Sequence, residues 1–278
     1  MQSRLNKVIF SIIMNLARHA KWLMKNSRFA RLDAITAHLL IVKNPIYATL
    51  AKTCIESFLY FHPNAKIIIH YDSQTLNAIK SKFRLLKIFR RRSLYFQETL
   101  ENASWQYSKL NLILSLQGTN HFFMDCDLRW NGVIQDHPNK SMLYFVKEKP
   151  LDSYPGILPY LPQSFHNYGK ALMKNTSLFS WSEFEINNEF RNEVERIWWD
   201  LFDLCHNSSN KDLMSILRVS EQLVLSIIPE KLEFPYSFLK EVDAQFDGSV
   251  CESSYYGASY GKFAFWGNTN RKSLFRRL

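Results

Sequence analysis

From Ile35 to Met124 the chain alternates short apolar runs with longer amphipathic ones, and this alternation limits the possible folds more than any other feature. Ile35 to Val42 reads as a buried strand. Pro45 opens a helix through about Tyr60, and His62-Pro63-Asn64 turns the chain into Lys66 to Tyr71, a second strand. Together these make one βαβ unit. Ser73 to about Phe89 and Ser104 to about Leu116 read as further helices, and His121 to Met124 as a short buried strand after the Gly118 turn. Such alternation predicts an α/β fold whose sheet is parallel and doubly wound. Glu148 to Ser182 holds four prolines and many aromatics with weak periodicity, which predicts an irregular segment lining a site. Helix returns at Glu189 to about His206 and at Ser220 to Ile228, and there is no internal repeat.

Charge is unevenly spread over the 278 residues. Lys and Arg number 35 against 25 Asp and Glu, a net charge of +10. Met1 to Leu32 carries seven cations, Lys80 to Arg92 seven and Arg271 to Leu278 four, with no acid in any of the three. The remaining 225 residues carry 17 − 25 = −8, so the chain is a mildly acidic body with three basic patches. That pattern suits an anionic surface such as a membrane as well as it suits nucleic acid. No nucleic-acid module accompanies the charge, so nucleic acid is not expected as a partner. In Lys80 to Arg92 the cations alternate with Phe83, Leu85, Leu86, Ile88 and Phe89. The stretch fits either a grip on phosphate-bearing lipid or polysaccharide, or an amphipathic helix with a wet face.

Residues 1–34 read as a basic amphipathic helix ahead of one domain spanning 35–278. Val8, Ile9, Ile12, Ile13, Leu16, Leu23 and Met24 share one side. That side would lie on an anionic membrane or pack against protein. Asn15, Arg18 and Lys21 interrupt the apolar run and no small-residue cleavage site follows, so no cleaved signal is expected. Val8 to Ala17 is too short to span a bilayer, and no transmembrane helix is expected. Cys54, Cys126, Cys205 and Cys251 stand singly, which indicates neither a zinc site nor a disulfide framework and makes a reducing compartment the default. With 46% hydrophobic residues, the composition excludes disorder, collagen and a disulfide miniprotein.

The chemistry concentrates in His121-Phe122-Phe123-Met124-Asp125-Cys126-Asp127-Leu128-Arg129. Two carboxylates one residue apart, directly after a buried strand, sit at the strand's C-terminal edge, where open α/β sheets bind ligands. In extended backbone both point to the same side. Like charges that close are costly until neutralised, and a divalent cation with hard oxygen ligands does this; the alternative is a solvated acidic turn.

On these residues the chain resembles a GT-A fold nucleotide-sugar glycosyltransferase of the bacterial surface-polysaccharide type. Phe122 to Asp127 matches the family's hydrophobic strand followed by D-x-D. The resemblance implies a doubly wound mixed sheet flanked by helices, and Mn²⁺ or Mg²⁺ as cofactor. It makes Asp127 the metal ligand, with Asp125 a second ligand or a contact to the donor ribose. It implies a nucleotide-sugar donor, UDP-sugar favoured, and a hydroxyl on a saccharide or lipid-linked acceptor in polysaccharide or lipopolysaccharide synthesis. With the basic patches, it implies a cytoplasmic enzyme, peripheral on the inner face of the membrane.

Other positions fit the resemblance with a bland reading beside it. The Lys43-Asn44-Pro45 loop would lie near the nucleotide. Asp72 binds the base or ribose, or caps the next helix. Lys109, on one helical face with Trp105, binds donor, or is a solvated neighbour of a core Trp. Glu221 is an acceptor-facing general base, or the favourable acid of a first helical turn; Asp243 and Asp247 compete for the role of base. Tyr255 to Phe263 resembles a late loop over the donor phosphates, with Lys262 pairing phosphate. No histidine follows His206, where several such families place a third metal ligand. The competing readings are a catalytically inactive relative that binds a sugar nucleotide or polysaccharide, a HAD-like phosphatase and a nucleotidyltransferase. A HAD motif normally opens its chain, and here some 120 residues precede it. A nucleotidyltransferase would begin with a Gly-rich basic loop, which Val42 to Pro45 is not.

Overall fold

The structure is a computed structural model describing residues 35–89, 93–99, 104–116, 121–126, 128–130, 142–153, 159, 161–181, 187–207, 216–238, 245–247, 257–260 and 263–266. The N-terminal amphipathic segment, Arg90 to Arg92, Asp127, Asp243 and Lys262 lie outside the described residues.

The expected alternation forms. β1 (Thr36–Ile41), α1 (Ile46–Phe61), β2 (Lys66–Tyr71), α2 (Leu76–Phe89), β3 (Leu94–Glu98), α3 (Trp105–Ser115) and β4 (His121–Met124) follow in order. After them come β5 (Leu128–Trp130), β6 (Met142–Pro150), the short α4 (Gln163–His166), β7 (Leu172–Trp181), α5 (Asn188–His206), α6 (Ser220–Lys231) and β8 (Tyr236–Phe238). Seven strands make one sheet in the order β3-β2-β1-β4-β7-β6-β8. β1, β2, β3 and β4 are parallel, β7 runs antiparallel to β4 and β6, and β8 is parallel to β6. The fold is therefore α/β with a doubly wound, mixed sheet. From β1 the chain moves outward through β2 to β3, then returns to lay β4 on the other flank of β1. The switch point lies between β1 and β4, and beyond the carboxyl ends of the strands at such a point open α/β sheets form their ligand-binding crevice.

Strand alternation divides the core into two layers. Ala37, Leu39, Ile41, Ile67, Ile69, Phe122 and Met124 pack with Ala51, Ile55 and Phe58 of α1 and Ile79 and Phe83 of α2. On the other side Phe123 and Phe179 pack with Leu110 and Ile113 of α3, Val194, Trp198 and Leu201 of α5, and Leu223, Val224 and Ile227 of α6.

Two expectations are corrected. Glu148 to Ser182 is not an irregular segment: it contains the end of β6 and all of β7, which pair antiparallel with register shifts between Tyr144 and Val146 and between Lys147 and Pro150. The prolines fall at the last residue of β6 and between the two strands, so none interrupts the interior of either strand. The Gly- and aromatic-rich stretch from Tyr255 is not simply a loop. β10 (Gly257–Tyr260) and β11 (Phe263–Trp266) pair antiparallel, and with β9 (Gln245–Asp247) and β5 they form a second sheet in the order β5-β11-β10-β9. Among the described residues no helix is long and apolar enough to cross a membrane.

Candidate active site

Asp125 is the first residue beyond β4, at the carboxyl edge beside the switch point. Two thiols fix the backbone here. Cys54 of α1 donates to the Asp125 carbonyl at 3.6 Å, and Cys126 donates to the Leu40 carbonyl of β1 at 3.2 Å. Both are buried, which fits a packing role better than a reactive one.

α3 brings the matching cation. Ser104 is extended and its Oγ accepts the Tyr107 N–H at 3.1 Å, an N-cap that starts the helix one turn before Lys109. Lys109 thereby falls on the buried face, 4% exposed. Its Nζ lies 3.0 Å from Oδ1 and 3.2 Å from Oδ2 of Asp125, and 3.3 Å from Oε1 of Glu221. It also stands 5.0 Å above the Phe123 ring, a cation–π contact out of water.

Glu221 sits in the first turn of α6 and is as buried as Lys109. Burial pushes its carboxyl above the usual range, Lys109 pulls it back, and the Asp125 carboxylate adds to the rise. Its Oε2 is buried without a hydrogen-bond partner. For Lys109, burial works against the charge, but Asp125 and Glu221 more than offset it and hold the ammonium above its ordinary value. The group is a fixed ammonium between two carboxylates, one of them, Asp125, partly open to solvent. An ammonium so placed holds Asp125 in one orientation, with the carboxylate 26% exposed. Among the described residues no three His, Cys, Asp or Glu side chains gather as a metal site.

Asp72, just beyond β2, is buried and fully used. Oδ1 accepts from Thr75 N at 3.0 Å and Thr75 Oγ1 at 2.9 Å, and Oδ2 accepts from Lys43 N at 2.7 Å. Thr75 Oγ1 also reaches the Ile41 carbonyl at 2.7 Å. Asp72 therefore caps the turn into α2 and ties it to the loop after β1, where Lys43 is held at φ 63°, a left-handed conformation costly for a residue with a Cβ. This loop follows β1, and Asp125 follows β4, the parallel strand beside it.

The structure brings Lys109, Asp125 and Glu221 together. Trp105 is exposed at the start of α3 and takes no part in that contact. Asp247 ends β9, where its backbone pairs with Gly257 in the second sheet. That sheet joins the site through β5, since Leu128 to Trp130 pair with Phe263 to Phe265.

Two further polar clusters escaped the sequence reading. His38 on β1 bonds through Nδ1 to His70 Nε2 on β2 at 3.0 Å and through Nε2 to His121 Nδ1 on β4 at 2.9 Å. Burial, with His70 and His121 adding to it, pushes His38 down to about 3, and burial lowers His70 to about 4. Burial and the charge of Lys66 lower His121 as well. Lys174 on β7, wholly buried, donates to the Ser226 carbonyl at 2.8 Å and to Glu230 at 2.9 Å, and lies 4.1 Å over the Tyr236 ring. Spacing along the chain gave no sign of either cluster, because each forms across separate elements. In the fold His38 stands opposite Ile68 and His70 opposite Leu40, so the two rings lie on one face of the sheet.

No protein-family model and no curated protein matches the chain. Among solved structures, it is similar to the apo-form glycosyltransferase GlyE of Streptococcus pneumoniae TIGR4, at 12% identity and a TM-score of 0.45 over 75% of this chain and 45% of that one. It is similar to the PaToxG glycosyltransferase, at 9% identity and a TM-score of 0.41 over 78% of each chain. It is also similar to the galactosyltransferase LgtC in complex with donor and acceptor sugar analogs, at 11% identity and a TM-score of 0.40 over 74% of each chain. The match thus spans less than half the length of GlyE. Likeness at this level does not assign an activity, which has to be argued from the site.

Proposed function

We propose that the chain is a metal-dependent GT-A glycosyltransferase that moves a sugar from a nucleotide-sugar donor, a UDP-sugar favoured, to a hydroxyl of a saccharide or lipid-linked acceptor. Its setting would be cell-surface polysaccharide or lipopolysaccharide synthesis, at the cytoplasmic face of the membrane. The observation that carries this reading is Asp125 clamped by Lys109 beside the β1–β4 switch point, at the carboxyl ends of parallel strands. A phosphatase of HAD type is not favoured, because here the aspartate follows the fourth strand of the chain.

The donor set fits a hard divalent cation in part. Asp125 offers carboxylate oxygen in a fixed orientation, and Asp127 would supply the second carboxylate. When bound, Mn²⁺ or Mg²⁺ supplies charge neutralisation at the donor's phosphates as the nucleoside diphosphate leaves. Lys109 keeps Asp125 from turning away when the site is empty, and Glu221 holds Lys109 from behind. In this role Glu221 is a positioning residue. The base that takes the acceptor proton is then sought at Asp243 or Asp247. The loop fixed by Asp72 and Lys43 would line the nucleotide side of the site, and Lys262 would be the partner of a donor phosphate.

A thermal-shift screen of UDP-, GDP-, CMP- and dTDP-sugars with and without Mn²⁺ tests the reading, because a ligand selective for the native state raises its apparent stability. A metal-dependent shift with one nucleotide, together with loss of turnover in Asp127→Ala at unchanged melting temperature, is the expected result. Wild-type turnover in Asp127→Ala sinks the D-x-D assignment. The inactive-relative reading draws on the Lys109–Asp125 pair, which already neutralises one carboxylate. Donor hydrolysis by the wild type would dispose of it.

A further inference from the structure

Away from the crevice, at the outer edge of the sheet, a groove of about 510 Å³ lies between α2 and strands β2 and β3. That volume is in the range of small-molecule sites. Its apolar lining is Tyr71, Leu76, Ile79, Phe83, Ile88 and Phe96. Its charged lining is Lys80, Arg84 and Lys87, all exposed. On α2 these cations stand four and three residues apart, so they form one ridge along the groove. Lys87 leans over the Phe96 ring at 5.1 Å. No acid lies between Ser73 and Gln97, and Glu98, which pairs in register with Tyr71, does not line the groove. Beside the ridge, Leu85 and Ile88 are 66% and 64% exposed, high values for large aliphatic side chains.

We propose that this groove binds an anionic phospholipid of a membrane surface, with one acyl chain along the apolar floor and the phosphate headgroup on Lys80, Arg84 and Lys87. Three features select that occupant. The ridge demands negative charge, which excludes the basic segment 2–31 of this chain as the natural filler. Free phosphate would satisfy the ridge and leave the floor wet. An extended acidic peptide would bring backbone N–H and C=O groups onto a floor of hydrocarbon and aromatic rings, where they find few partners; an acyl chain brings none. Leu85 and Ile88 then enter the headgroup boundary beside the bound lipid, as the apolar side of an interfacial helix does. The inference deepens the membrane part of the reading above and is independent of the transfer chemistry.

The test uses the full chain with vesicles of phosphatidylcholine alone or mixed with phosphatidylglycerol, and the soluble short-chain dihexanoyl phosphatidylglycerol against glycerol phosphate. The expected result is retention by the mixed vesicles only, falling at least about tenfold in Lys80→Glu/Arg84→Glu/Lys87→Glu, since each cation near an anionic surface contributes to the attraction. Leu76→Trp, which fills the groove and keeps the ridge, weakens retention too. The short-chain lipid raises the melting temperature of the wild type and glycerol phosphate does not. Unchanged retention in the triple variant overturns the proposal, as does an equal shift from glycerol phosphate, or displacement of the lipid by an acidic peptide at equal concentration. The donor-dependent thermal shift is measured on the same variants. If it persists while lipid retention is lost, the two sites are separate. If no donor shifts any variant or the wild type, the transfer reading falls and the lipid site stands or falls on its own data.

Discussion

Under α1 and α2 the central sheet buries Ala37, Leu39, Ile41, Ile67 and Ile69 against aliphatic and aromatic side chains, whereas toward α3 and α6 it buries Lys109, Lys174, Glu221 and His38 among apolar neighbours. The first side is an ordinary dry layer, and of its polar members Asp72 and Thr75 stand at the rim where they shape a turn. The second holds charges that are tolerable only as sets, because a single member left alone would carry an uncompensated desolvation cost. One sheet thus presents a side that resists change by packing and a side that resists it by pairing. The candidate site lies where the paired side meets the carboxyl edge.

Lys109→Met should be the most damaging single change, since it strands Glu221 and releases Asp125. A loss of about 3–5 kcal/mol in urea unfolding is expected, with turnover abolished. Lys109→Met/Glu221→Leu should recover most of that stability and none of the turnover. If the double variant is no more stable than the single one, the pairing argument fails. On the dry side Leu39→Ala should cost about 2–5 kcal/mol through its cavity, and no second polar substitution should recover it. The histidines separate the sides by pH. With His38 and His70 held at about 3 and about 4 in the fold against an ordinary 6.5, the unfolded chain binds more protons in between. Stability present above pH 6.5 is therefore lost progressively as pH falls from 6.5 through 4 toward 3, and no further below that. The urea midpoint should decline over that range and decline less steeply in His38→Gln/His70→Gln; an identical slope would move the acid sensitivity to other groups. Smallest of all, Thr75→Ala should cost about 1 kcal/mol by removing one partner of the Asp72 cap, seen as a modest drop in melting temperature.

The dry side was legible in the sequence because hydrophobic period alone specifies it. β1, α1, β2, α2 and β4 fall within a residue or three of the sequence reading. β3 went unread: Leu94 to Glu98 is an edge strand that alternates weakly and follows a run of cations. β6 and β7 went unread because prolines at and after the end of β6 mask a ladder that itself shifts register twice. At the site, Asp125, Lys109 and Glu221 were each singled out, but for separate tasks. That they form one ion cluster depends on α3 and α6 meeting over β4, a contact between distant parts of the chain that leaves no local pattern. Asp72 had two readings open, and the geometry shows the cap at work through Thr75 and Lys43.

The histidine row carries a consequence of its own. In each nitrogen–nitrogen contact one ring must present N–H and the other a lone pair, and a neutral imidazole has one of each. If His38 donates through Nδ1 to His70, its Nε2 must accept from His121; if it donates through Nε2 to His121, its Nδ1 must accept from His70. The three rings therefore share two proton arrangements of opposite direction. The tautomer chosen at His121, on the strand that ends at Asp125, fixes the tautomer of His70 two strands away.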